Sequence, residues 1–173
     1  GGGHAAQLFG ATLTNAVGAA LNILVGAGGS RRIDAPIANQ GTVTVSAAVD
    51  FFPGNGAVTN SGTWTVDANQ TMTFSTNGSF TSSGTLTVNT GRTLSTTTGS
   101  FNWQGGTWNG GGTVSFTNVA VTFGANFTQA QQVTLVASSS TFGGAGSITV
   151  PAGQSLTLTS STVNNTLAIA GTL

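Results

Sequence analysis

The 173-residue chain is 38% hydrophobic but only 3% charged, with three Arg balanced by three Asp and no Cys. An ordinary soluble domain is about 25% charged. Three arginines make neither a phosphate-binding groove nor an electrostatic anchor on anionic lipid, so nucleic-acid and peripheral membrane partners are excluded, and stability must come from packing and backbone ladders rather than disulfides.

Thr, Val and Phe favour pleated, half-buried surfaces, and charged helix formers are nearly missing. An all-β chain follows from these biases alone. Near-zero charge removes the self-repulsion that keeps proteins apart, which suits close packing with neighbours.

In chain order, the sole histidine, His4, comes first. With no Cys and no acid nearby it reads as an exposed terminal residue, not a metal ligand. Residues 11–29 form the one long apolar run. Its length would suit a membrane span, but glycines, Thr14, Asn15 and Asn22 interrupt it, and Arg31 and Arg32 follow rather than precede it, opposite to a signal peptide. Residues 1–35 therefore read as irregular N-terminal rungs carried by "ATLT", "LNILV" and "IDAPI". "GAGGSRR" at 26–32 lacks the Gly-Lys-Ser/Thr ending of a phosphate loop. It reads as a corner, with the Arg pair capping the apolar rungs or meeting solvent.

From residue 41 the text repeats. "GTVTV", "GTWTV" and "GTLTV" open at Gly41, Gly62 and Gly84, and "GTWNG" follows at Gly106, in steps of 21 or 22 residues. Self-similarity at this period marks a repeat architecture. "GTVSF" at Gly112 and "GSITV" at Gly146 read as further openings, 34 residues apart, with "NFT" and "QVTLV" between them as one irregular or partial turn. A second alternating stretch appears as "TMTF", "TLST", "AVTF" (120–123) and "SLTLT", and a third as "GAV", "GSF", "GSF" and "STF". Gly, Asn and Ser clusters separate the three. Asn39 and Asn60, two residues before an opening Gly, suit left-handed corner positions.

Three strands of three to five residues cannot bury a face alone, but copies stacked in parallel at about 4.8 Å can. The sequence thus predicts a right-handed parallel β-helix (a β-solenoid), with roughly 21–22 residues and three short strands per turn. It is a single domain over 1–173, and, since the text starts without Met and stops mid-strand, a segment of a longer chain. Alternation assigns Val43, Val45, Trp64, Val66, Leu86 and Val88 to inward columns, with Met72, Phe74, Val58, Phe80 and Phe101. Thr42, Thr44, Thr63, Thr65, Thr85 and Thr87 then form outward ladders.

"NQGTVTV", "NSGTWTV", "SSGTLTV" and "NNTLAIAGTL" resemble the degenerate rungs of bacterial exported β-helix proteins, the autotransporter passengers and filamentous-haemagglutinin-like surface proteins, from about residue 34 onward. The resemblance implies an extracellular or cell-surface location and a scaffold or adhesive role. It carries over no functional residue.

Three functions compete on the residues. A non-catalytic structural or adhesive solenoid is the leading expectation. Its open ends would be met by copies of itself or by flanking domains. Core or corner packing is the default for Trp103 and Trp108, in "FNWQGGTWNGGG", and for Phe51 and Phe52; were the tryptophans exposed, they would be the candidate contacts to a surface glycan or a neighbouring chain. Phe51 and Phe52 are adjacent, so one of them must leave the core. The alternative is an ice-binding solenoid using the threonine ladders as a hydroxyl-and-methyl grid. The third is a polysaccharide-acting enzyme, for which Asp34, Asp50 and Asp67 are the available carboxyls and Arg92 the one arginine of the regular part. No catalytic pair, cofactor or metal set emerges from their spacing. The acceptor patterns at Asn69, Asn77, Asn126 and Asn164 match chance in an Asn- and Thr-rich chain and predict no glycosylation.

Overall fold

A computed structural model describes residues 6–26, 31–129 and 133–173. Every element it describes is a strand, and every strand pairing is parallel. Three sides wind around one core. Sheet A stacks Ala6–Phe9, Arg31–Asp34, Val49–Gly54, Gln70–Phe74, Thr93–Thr97, Thr113–Thr117, Thr134–Ser138 and Leu156–Thr159. Sheet B stacks Leu13–Asn15, Ile37–Asn39, Ala57–Asn60, Ser79–Ser82, Ser100–Trp103, Ala120–Phe123, Thr141–Gly143 and Thr162–Val163. The third side is sheet C, of Ala20–Ile23, Thr42–Val45, Thr63–Val66, Thr85–Val88 and Thr107–Asn109, continued by sheet D, of Phe127–Thr128, Ile148–Val150 and Leu167–Ile169. The molecule is a β-solenoid of about seven turns with three strands per turn.

The period-2 pattern decides which side chains meet. Val43, Trp64, Leu86 and Trp108 are register partners up sheet C, as are Val45, Val66 and Val88. All of them are buried. The glycine that opens each copy has a steric cause. A Cβ on Gly62 would lie 2.1 Å from the Gly41 carbonyl oxygen, and one on Gly84 would lie 2.1 Å from that of Gly62. At this corner backbone rests on backbone, so a side chain is excluded at Gly41, Gly62, Gly84 and Gly106.

The core is largely aromatic. Phe51, Trp64, Phe80, Phe101, Phe116 and Phe142 follow one another with ring centroids 5.0–5.9 Å apart. Each fills the gap between two rungs that a 4.8 Å backbone repeat alone would leave open.

Several expectations change. Asn39 and Asn60 are not left-handed corner residues; they are buried at the ends of strands in sheet B. Asn15 Nδ2 donates to Asn39 Oδ1 at 2.7 Å, Asn39 Nδ2 to Asn60 Oδ1 at 2.7 Å, and Asn60 Nδ2 to Ser82 Oγ at 3.1 Å. Each amide also donates to a backbone carbonyl one rung up, those of Thr42, Thr63 and Thr85. A buried amide must find partners, and an identical neighbour one rung away supplies them. Among the described residues, the non-glycine left-handed ones are instead Thr98, Asn118, Ser139 and Ser160, with φ of 58°, 55°, 49° and 48°. They stack at the corner from sheet A to sheet B, where two residues must turn the chain.

"GTVSF" does not open the GTVTV-type strand: Thr113–Thr117 pairs with Thr93–Thr97 in sheet A. "AVTF" belongs to sheet B, paired with Ser100–Trp103. Phe127–Thr128 lies in sheet D and Thr134–Ser138 in sheet A, so no partial turn intervenes. The 34-residue step measured two different sides of the coil. All three sides alternate alike, so local text does not tell one side from another. The N-terminal residues within the described range do form rungs. Their turns are uneven, 24 residues from Leu13 to Ile37 and 18 from Arg31 to Val49. Among the described residues no helix is long and apolar enough to cross a membrane.

Two substitutions separate the polar ladder from the rest of the core. Asn39→Ala strands the Asn15 amide and the Asn60 carbonyl, and should cost about 2–3 kcal/mol in urea unfolding. Thr96 is fully buried with an unpartnered hydroxyl. Thr96→Val should therefore raise stability by about 1 kcal/mol. An Asn39→Ala change near zero would show that the ladder contributes nothing.

Candidate binding faces

Sheet C presents two outward columns. Thr42, Thr63, Thr85 and Thr107 are successive register partners, and so are Thr44, Thr65, Thr87 and Asn109. Thr42 and Thr107 are exposed, whereas Thr44, Thr63, Thr65, Thr85 and Thr87 are half-buried because each leans on its neighbours along the column. The structure therefore brings together all six threonines singled out from the sequence. The grid is short, since sheet C ends at Asn109 and its strand does not pair with Phe127–Thr128.

A larger grid covers sheet A; the sequence shows the outward Thr71 and Thr73 of this side but not its upper columns. Its outward columns are Thr93–Thr113–Thr134, Ser95–Ser115–Val136–Thr157 and Thr97–Thr117–Ser138–Thr159. Below them Thr71 and Thr73 continue two of the columns, and the Thr73 and Thr97 hydroxyls lie 2.9 Å apart. The 20- and 21-residue spacing of Thr93, Thr113 and Thr134 was the available signal. Placing "GTVSF" on the wrong side hid it.

Charge ends partway up the coil, at Arg92, which is exposed just before Thr93–Thr97. Arg32 donates to Asp34 Oδ1 at 2.6 Å and lies 4.0 Å over the Phe52 ring. Asp50 is its register partner on the next rung. Arg31 Nε donates to the Leu24 carbonyl at 2.8 Å, as a cap on the apolar rungs would. Asp67 accepts from Asn89 Nδ2 at 2.9 Å. From residue 93 to residue 173 there is no Asp, Glu, Lys, Arg or His. A cavity of about 290 Å³ is lined by Leu8, Ile23, Leu24, Ile33, Val49, Asn22 and the two arginines, and none of the three aspartates lines it. Among the described residues no three His, Cys, Asp or Glu cluster as a metal site would require. His4 and residues 27–30 of "GAGGSRR" lie outside the described residues.

Trp103 and Trp108 are 2% and 4% accessible, the default core placement, so the alternative of a surface contact does not hold for either. Trp108 takes the inward place above Leu86, and Trp103 the place above Ser82. The two rings are 5.4 Å apart, and Trp108 lies 4.9 Å from Phe127. These side chains fill the interior where sheet C gives way to sheet D. Of the Phe51–Phe52 pair, Phe51 is buried and Phe52 faces outward beneath Arg32.

The fold and these faces define a charge-poor β-solenoid with hydroxyl-bearing sides. No protein-family model, curated protein or solved structure matches the chain.

All three tryptophans are buried. Native emission should therefore be blue-shifted and resistant to iodide quenching until the chain unfolds. Ready quenching in the native state would contradict the interior placement of Trp103 and Trp108.

Proposed function

We propose that the chain is a non-catalytic, secreted or cell-surface β-solenoid with a structural or adhesive role, able to assemble with copies of itself. The observation that carries this reading is the combination of in-register hydroxyl columns on sheets A and C with a complete absence of ionisable side chains beyond Arg92. Such a surface holds water through neutral groups and offers no charge repulsion to an identical neighbour. It suits contact with neutral, repetitive partners, either another copy or a surface glycan. The resemblance of the rung text to exported bacterial β-helix proteins supports the extracellular location. Hydroxyls, unlike carboxylates, need no counter-charge when another surface covers them.

A second reading, ice binding, draws on one specific feature: Thr42, Thr63 and Thr85, and beside them Thr44, Thr65 and Thr87, stand in unbroken register. Their spacing is about 4.8 Å between rungs and about 6.7 Å along a strand.

Electron microscopy of purified protein should show filaments or ordered arrays, and a glycan array with a reducing-end assay should show binding without cleavage. Dispersed monomers that bind no glycan would remove the structural reading. Thermal hysteresis that disappears when Thr65 and Thr87 are replaced by bulky residues would put the ice reading in its place.

A further inference from the structure

We infer that the uncharged upper rungs of sheet A form a face on which a second copy of this chain packs, in an antiparallel two-fold arrangement centred near Ser115. The inference rests on the self-assembling reading above and goes further by naming the surface, the orientation and the residues that meet.

Charge decides the register. Outward positions of sheet A carry Arg32, Asp34 and Asp50 on its lower strands, whereas from Gln70–Phe74 up to Leu156–Thr159 they are hydroxyl-bearing or apolar. A two-fold axis through the middle of these five upper strands superposes uncharged strand faces on one another, with the exposed Arg92 at the corner beside Thr93–Thr97 as the one charge at their border. The charged rungs then project past the partner into water. A parallel two-fold would set Arg32 against Arg32 and Asp50 against Asp50, which like-charge repulsion disfavours.

Shape decides the contact. The central column changes size along its length: Ser95 and Ser115 are small, and Val136, their register successor, is an outward apolar side chain already half-buried by its neighbours. Reversed about Ser115, Val136 of each copy falls on the small Ser95 of the other, and Ser115 meets Ser115. The two-fold axis runs along the strands and keeps each flanking column opposite itself, so Thr93 meets Thr134 and Thr97 meets Ser138, small hydroxyl side chains on both sides. Bulge faces hollow, as in the dry interdigitated faces of packed sheets. Sheet C lacks this pattern. Its outward columns contain no apolar knob, and the sheet ends at Asn109.

Five strands at about 4.8 Å, each about five residues long at about 3.3 Å, give roughly 400 Å² of flat face per copy. The pair buries roughly 800 Å², below the roughly 1,200 Å² at which stable complexes begin. The association is therefore weak in dilute solution and concentration-dependent, and it becomes strong only when many copies are tethered together.

The test uses the whole chain. Sedimentation velocity across a concentration series should show a reversible monomer–dimer equilibrium. Val136→Lys should weaken it by more than about tenfold, since it sets a charge in a desolvated contact. Thr141→Lys, exposed on sheet B, should leave it unchanged. Because the chain has no Cys, Ser115→Cys gives a single reporter on the two-fold axis. A short bis-maleimide should convert that variant to covalent dimer while leaving Thr141→Cys monomeric. If Val136→Lys fails to fold by circular dichroism, the cross-linking result decides alone. The proposal is overturned if Ser115→Cys does not cross-link, if Thr141→Lys rather than Val136→Lys abolishes the dimer, or if the protein stays monomeric at every concentration. Filaments that persist with Val136→Lys would keep the assembly reading and remove this face. A dimer that follows these variants without filaments or glycan binding would do the reverse.

Discussion

Vertical register is the constraint on which everything else depends. Each strand finds its ladder partner one turn away, and a parallel ladder brings like positions together. The side chains of one rung therefore have no choice of neighbour. Trp64 lies between Val43 and Leu86 because the backbone hydrogen bonds of sheet C put it there. A one-residue slip on any rung would turn its inward set to solvent. Since adjacent rungs share these ladders, the cost would spread to the rungs above and below.

Most inward columns are apolar, and apolar contacts are forgiving of small shifts. The asparagine column is not. Asn15, Asn39 and Asn60 each spend one amide hydrogen on the next side chain and one on the next backbone, at 2.7–3.1 Å. Both bonds are lost together if the rung slides, and the amide would then be buried without partners. We read the column as the device that holds the lower rungs in register. Above it Trp103 and Phe123 occupy the same column, and ring packing takes over. The change of chemistry coincides with the discontinuity between sheets C and D.

The same stacking that builds the core organises the outside. Outward side chains form columns without being selected one pair at a time, so a bias toward Thr and Ser becomes a regular lattice of hydroxyls and methyls. Concentrating the charged residues in the lower rungs divides the surface into a charged portion and a neutral one. Neutral hydroxyl surfaces hydrate well singly and desolvate cheaply together. This is the physical basis for reading the molecule as a scaffold that meets other flat, neutral surfaces.

The amino-acid text by itself determined the class of fold, the period and the inward columns of sheet C, because five-residue copies at 21- and 22-residue steps admit one alternation and one stacking. It also placed the six threonines of sheet C on the surface correctly. Only the tertiary structure decided which side each remaining strand joins. Thr113–Thr117 and Ala120–Phe123 alternate like any other strand, and their partners are set by how many residues each corner consumes. The role of asparagine was hidden for a related reason. Asn serves turns and buried ladders alike, and the difference lies in whether another Asn stands one rung away. The glycines around Trp103 and Trp108 left both core packing and surface contact open; the stacking turns both rings inward and packs them against each other and against Phe127. Sequence records alternation along the chain; burial and partnership across rungs depend on corner lengths, which only closure of the coil fixes.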